Sequence, residues 1–260
     1  MSINNKLLIS MDVEEFDIPE EFGGEVSLQE KLSVSHKGLL SALELFERHN
    51  VTATFFITAY WAQHYPQLVR TLAEKHEIAS HLFFHSEFEM SHLESSRLVL
   101  EEICQKPVHG FRMPRLRPVD YIKLREAGYK YDASLNPTWL PGRYNNLDKP
   151  RIPFQKNGLW VMPSSVSPLC RYPVFWLSVK NMPGAVTRYF SNSILRKDHL
   201  LSFYFHPWEL NDLEGYSLPA YIRKTSGIKM YKKMDQFLGF LKTKGTFSTH
   251  MEWISQQPSF

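Results

Sequence analysis

LLISMDVEEFD, residues 7–17, begins as a short apolar run that Asp12 interrupts and ends in a knot of acids. Residues 7–13 predict a buried first strand, because the run has neither the polar alternation of a half-exposed strand nor the length of a helix. Asp12, Glu14, Glu15 and Asp17 then crowd its C-terminal end. In parallel α/β architectures that end is where reactive groups gather. Asp12 and Glu14, two residues apart, share a face if the strand continues that far, and Glu15 then points elsewhere. The blander reading is a solvated acidic loop, and this cluster alone does not separate the two.

Working outward, strand and helix signals alternate, as expected of parallel strands covered by helices. Residues 36–50 carry Leu39, Leu40, Leu43, Leu45 and Phe46 at helical spacing, with Asn50 placed to end the helix. A strand over 53–59 follows, then a helix over 65–75, a short strand over 77–81 and a helix over 92–105. Residues 108–113 and 129–134 read as strands, separated by a helix beginning near Pro118. Residues 136–151 are rich in proline, glycine and asparagine and predict a loop over a barrel mouth. The segments 159–165 and 200–210 are strand-like, with a helix over 184–197 between them. Met230, Met234, Phe237, Leu238 and Leu241 form a core-facing helical stripe, and 246–250 is a candidate closing strand.

The 260 residues suffice for one α/β barrel, so one domain spanning 1–260 is expected. The composition is 43% hydrophobic and 22% charged with both signs mixed, which argues against a disordered scaffold. A net charge of +3 is too small to imply nucleic acid as a partner. Eleven histidines against two cysteines turn any metal hypothesis towards imidazole and carboxylate ligands. No disulfide framework, leader pattern or membrane-length apolar stretch is found, so a cytoplasmic location is expected.

The second cluster, SHLFFHSEF, sets His81 and His85 four residues apart after a predicted strand. On one turn of helix the two imidazoles would meet a single ion, although chance pairs at this interval are common. Three further clusters each close a predicted strand: GFRMPRLR with Arg112 and Pro114, GYKYDAS with Asp132, and SFYFHPWEL with His206, Pro207 and Trp208. Singly, each has an ordinary structural explanation.

In this order the five clusters resemble the polysaccharide deacetylase family, also known as the NodB-homology or carbohydrate esterase family 4 group, from Leu7 to about Leu210. The resemblance implies a distorted (β/α) barrel of about seven parallel strands. It also implies a metal-dependent hydrolase that removes an N-acetyl group from an amino sugar. The family's first motif is usually an Asp-Asp pair, and Asp-Val-Glu stands here. By the resemblance Asp12 is the general base and Glu14 the acidic metal ligand, with Glu15 still open for that role. His81 and His85 match the metal-binding pair, Arg112 the residue that orients the base, and His206 the general acid. Asp132 matches the aspartate paired with that acid. Zinc is the first choice of divalent ion, and cobalt, nickel, manganese or iron suit similar ligands.

Trp208, Trp139 and Pro114 are the candidates for contact with a sugar face, with Tyr144, Trp160 and Trp176 behind them. The expected partner is an N-acetylated sugar or a lipid- or nucleotide-linked glycan precursor. Alternatives that keep the barrel are a deformylase, an amidohydrolase acting on another C–N bond, and a non-catalytic carbohydrate-binding barrel. Residues 221–233, YIRKTSGIKMYKK, are basic and aromatic, so a peripheral contact with an anionic membrane competes with a plain solvated face. The sequence leaves the oligomeric state open.

Overall fold

The computed structural model describes residues 5–258; residues 1–4, part of the stretch read for a leader, lie outside the described residues. Strand β1 (Lys6–Val13) is buried from Leu7 onward, as its apolar run requires. Beside it lie β2 (Ala53–Ile57), β3 (Glu77–Ser80), β4 (Gly110–Phe111) and β5 (Tyr131–Asp132), all parallel and in that order. β6 (Trp139–Leu140) and β7 (Tyr144–Asn145) form a separate antiparallel ribbon inside the predicted 136–151 loop. β8 (Phe154–Lys156) turns back antiparallel to β9 (Leu159–Val161), which continues the parallel sheet from β5. β10 (Leu200–Phe205) flanks β1 on its other side, and β11 (Thr246–Phe247) pairs with the start of β1.

From β10 through β1 to β9, the seven strands expected are therefore present and parallel. The sheet curls until its ends approach. Just past β9, the Ser165 N–H donates to Ser202 O at 2.9 Å, and the Ser202 N–H donates to Ser165 Oγ at 2.8 Å. This is a distorted (β/α) barrel whose seam is closed by two hydrogen bonds rather than by a continuous ladder.

Ten helices are described: α1 (Leu28–His49), α2 (Ala59–His64), α3 (Pro66–Lys75), α4 (His92–Cys104), α5 (Tyr121–Glu126), α6 (Trp176–Asn181), α7 (Gly184–Asp198), α8 (Ala220–Arg223), α9 (Ile228–Lys242) and α10 (His250–Ser255). α1 starts earlier than its apolar spacing predicts, because the Ser27 hydroxyl caps it by accepting the Glu30 N–H. Asn50 ends it in the left-handed region, as expected. Its buried face runs through Leu39, Ala42, Leu45 and Phe46, whereas Leu40 is exposed. The helix expected over 65–75 is α3, preceded by a further helix, α2, that ends at Tyr65, and Asp120 rather than Pro118 starts α5. The candidate closing strand shortens to β11 because Thr249 caps α10.

Candidate active site

Asp12 and Glu14 leave the end of β1 on the same side, as the two-residue period dictates. Both are buried and both line one cavity of about 540 Å³ at the C-terminal mouth of the barrel. Arg112, just past β4 and 1% exposed, donates from Nη1 to Asp12 Oδ1 at 2.5 Å and to Ser10 Oγ at 3.0 Å. Its Nε donates to Ala133 O at 3.0 Å, and the guanidinium lies over the Phe56 ring, 4.0 Å from its centroid. A buried arginine fixed at both ends holds one Asp12 oxygen and leaves the other, Oδ2, facing the cavity.

Glu14, His81 and His85 converge, with one ligand atom from each lying within 4.8 Å of the others. Both imidazole Nε2 atoms stand 3.0 Å from Glu14 Oε2. The other nitrogen of each ring is taken: His81 Nδ1 donates to Arg112 O at 2.9 Å, and His85 Nδ1 faces Asp17 Oδ1 at 2.7 Å. These outer bonds fix the tautomers that turn Nε2 inward. Glu14 Oε1 accepts from the Trp208 indole at 3.1 Å, so Oε2 alone faces the histidines. Glu15 points away and accepts from the Thr58 hydroxyl at 2.7 Å, which makes Glu14 the acid beside the imidazoles.

The expectation that His81 and His85 share a turn of helix is corrected: they lie on an irregular loop in which Leu82 takes φ 71°. Burial pushes the Glu14 carboxyl up, but His85, His206 and His81 outweigh it and hold Glu14 well below its usual range. Burial pulls His85 down, yet the Glu14 and Asp17 carboxylates win and raise it to about 10. Two buried acids thus hold positive charge at the loop. A carboxylate oxygen and two imidazole nitrogens with their far sides tied is also the donor set of a divalent-cation site of the zinc type.

His206 follows β10 and opens the short turn Pro207–Leu210. Its Nε2 lies 3.9 Å from Asp12 Oδ2, too long for a hydrogen bond, so both atoms stay turned to the cavity. Its Nδ1 faces Glu209 Oε1 at 3.1 Å, and the same oxygen accepts the His206 backbone N–H at 3.0 Å. Burial lowers the imidazole's proton affinity, but Glu14, Glu209 and Asp12 together raise it above its ordinary value.

The carboxylate on His206 is therefore Glu209, and the structure does not bring Asp132 to it. Asp132 sits in β5, where it accepts from the Ser134 N–H and hydroxyl, and burial raises its carboxyl to about 7. Local pairing with Ser134, two residues on, holds it away from the turn after β10. Glu209 escaped the sequence reading, although His-Pro-Trp-Glu has the spacing of a capping box.

Trp208 stacks on His206 at 4.8 Å, and Trp176 meets both rings edge-on. Trp208 is 1% exposed, so it serves the floor of the cavity through Glu14 and His206. Trp139 is 60% exposed on the outer ribbon and, like buried Pro114, does not line the cavity; both expectations of a substrate contact there are corrected. Leu116, Leu140, Phe175, Met182 and Ile222 make the walls apolar, and Arg115 and Arg143 converge on Glu21 at the rim. In the basic segment, Lys233 donates to the carbonyls of Val179, Lys180 and Met182, while Lys224, Ile228 and Lys229 are exposed. No helix among the described residues is long and apolar enough to cross a membrane.

Comparison with known proteins agrees with this fold. Residues 36–132 match the sequence profile of the polysaccharide deacetylase family, described as Polysaccharide deacetylase. No curated protein matches by sequence. Among solved structures, one assigned as a polysaccharide deacetylase from Pseudomonas aeruginosa PAO1 superposes with a TM-score of 0.69 at 17% identity, covering 98% of this chain and 92% of that one. Another so assigned, from Mycobacterium smegmatis, gives 0.64 at 17% identity over 96% and 88% of the two chains. Puue allantoinase gives 0.64 at 16% identity over 100% and 93%. Identities this low speak for the fold, and the profile speaks for the sequence. Residues 36–132 carry the polysaccharide deacetylase signature, and the whole chain carries the distorted (β/α) barrel of that family.

Proposed function

We propose that the chain is a metal-dependent hydrolase that removes the N-acetyl group from an amino sugar, with Glu14, His81 and His85 as the ligands of a divalent ion, zinc by first choice. The observation that carries this reading is the inward convergence of His81 Nε2 and His85 Nε2 on Glu14 Oε2 beside Asp12 and His206. A divalent ion bound there would polarise the amide carbonyl and make water a better nucleophile.

The protein's own groups supply the remaining chemistry. Asp12, with one oxygen held by Arg112, accepts the proton of the attacking water at Oδ2. His206 delivers a proton from Nε2 to the departing nitrogen, with Glu209 holding the ring from behind. The apolar walls exclude bulk water and accept the acyl group and the less polar sugar face.

Acetate release from a panel of N-acetylated amino sugars, with and without chelation, tests this reading. Activity should vanish with a strong chelator and return with zinc. Asp12→Asn and His206→Ala should each lower kcat by about 10² to 10⁴ while zinc stays bound. If both variants keep most of the activity, the assignment of base and acid is wrong.

A second reading keeps the centre and changes the amide, to a formamide or another C–N bond such as the allantoinase neighbour suggests. The apolar stretch of wall formed by Leu116, Leu140, Phe175 and Met182 would also suit a less hydroxylated substrate. Measuring formate and ammonia beside acetate separates the two.

A further inference from the structure

Behind His206 lies a fully buried ion pair that the proposed reaction does not itself require. Lys180, on α6, is 0% exposed, with Nζ 3.5 Å from Glu209 Oε2, and Glu209 is 0% exposed as well. The ammonium's other donors go to Ile222 O at 3.0 Å and Thr225 O at 2.8 Å. Apart from Lys180, Oε2 of Glu209 has no hydrogen-bonding partner among the described residues. Replacing such a pair by apolar groups is often neutral for stability, so a stabilising role does not account for it.

We propose that Lys180 is a positioning residue: it keeps Glu209 an acceptor-only carboxylate, which fixes the proton of His206 on Nδ1 and leaves Nε2 as the nitrogen that exchanges protons with the cavity. The inference rests on the reading of His206 as proton donor. Its logic is one of donors and acceptors. A carboxylate can only accept, so the nitrogen facing Glu209 Oε1 at 3.1 Å must donate. Without the ammonium, a carboxylate buried at this depth takes up a proton. If the proton goes to Oε1, that oxygen becomes a donor, Nδ1 becomes an acceptor and the imidazole proton is displaced to the opposite nitrogen; if it goes to Oε2, Oε1 still accepts from Nδ1 and the proposal fails. The other titratable groups facing the ring are Asp12 and Glu14 from β1 and Tyr204 from β10; Trp176 and Trp208 complete its surroundings.

Nitrogen-15 spectra of the histidine rings across a pH titration test this directly. In the wild-type protein Nδ1 of His206 should stay protonated throughout while Nε2 titrates. In Lys180→Met, Nδ1 should be the nitrogen that loses its proton. Lys180→Gln, uncharged but still able to donate towards Ile222 and Thr225, gives the same readout if the methionine variant does not fold. Retention of the Nδ1 proton in an uncharged variant overturns the proposal.

Kinetics provide a second arm, using acetate release by the zinc-loaded protein from N,N′-diacetylchitobiose. Lys180→Met and Glu209→Gln should each lower kcat by about 10²-fold with KM little changed, and the double variant should be no worse than the poorer single. Losses that multiply overturn the proposal, since the two residues would then act separately. If the wild-type protein leaves the disaccharide intact, the proposed sugar substrate fails, and the spectra still decide the role of Lys180.

Discussion

Asp17 offers a sharp test of the proposed metal centre, because it touches a proposed ligand without being one. Its Oδ1 lies 2.7 Å from His85 Nδ1, while Oδ2 accepts from the Ser86 hydroxyl and from Arg115 Nη2 at 3.2 Å. Asp17→Asn keeps the shape but removes the charge and one acceptor. The single amide oxygen can serve His85 or the Ser86 and Arg115 donors, not both, and the amide nitrogen must face a donor. Loss of such an outer carboxylate typically weakens metal binding by about 10- to 100-fold, or about 1.4 to 2.8 kcal/mol. The double demand on Asp17 places this case towards the upper end.

At 2% exposure, the effect should be nearly independent of salt. Zinc competition against a chromogenic chelator at fixed pH reads it. Glu15→Gln is the control, since that neighbouring buried acid faces Thr58 and should leave affinity unchanged. Affinity of Asp17→Asn within twofold of wild type, or an equal loss in Glu15→Gln, would refute the proposed outer bond.

Other consequences are equally direct. On α1, a Cβ added at Gly38 would sit 1.9 Å from Pro207 O, so Gly38→Ala should push back the turn that carries His206; a melting curve should show a loss of at least about 1–3 kcal/mol, with kcat falling in parallel. In chelated protein, the raised His85 contributes stability fully present below its unfolded value near 6.5 and lost as pH rises through about 10, so denaturant midpoints should fall across that window. The raised affinity of His206 for its proton should carry the alkaline limb of kcat above the ordinary imidazole range, and Glu209→Gln should draw that limb to lower pH.

The barrel was legible because β1 is a mainly apolar segment and helices alternate with strands along the chain. The residue types that meet at the candidate site were legible too, in Glu14, His81 and His85. Their geometry was not: the histidine spacing suits a helix, whereas Leu82 enters the left-handed region, which nothing about leucine announces. Asp17 stood in the opening acidic cluster without a role, since its partner lies 68 residues away in the chain. Assigning Asp132 to His206 failed because motif order places strands but not the hydrogen bonds of their side chains. Glu209, three residues from His206, was recoverable from local capping logic, and Lys180 was not, because a lone lysine on an apolar helix carries no mark of burial.

Arg112 holds Asp12 through its guanidinium and His81 through its carbonyl oxygen. Side-chain replacement can reach only the first of these, so mutational scanning will credit the residue with half of what it does. Exchanging the peptide link between residues 112 and 113 for an ester weakens that carbonyl as an acceptor while leaving the guanidinium intact. Such backbone surgery also removes the Met113 N–H that donates to Ser134 Oγ at 2.8 Å, so Ser134→Ala is the control that isolates alignment of the imidazole from anchoring of the aspartate.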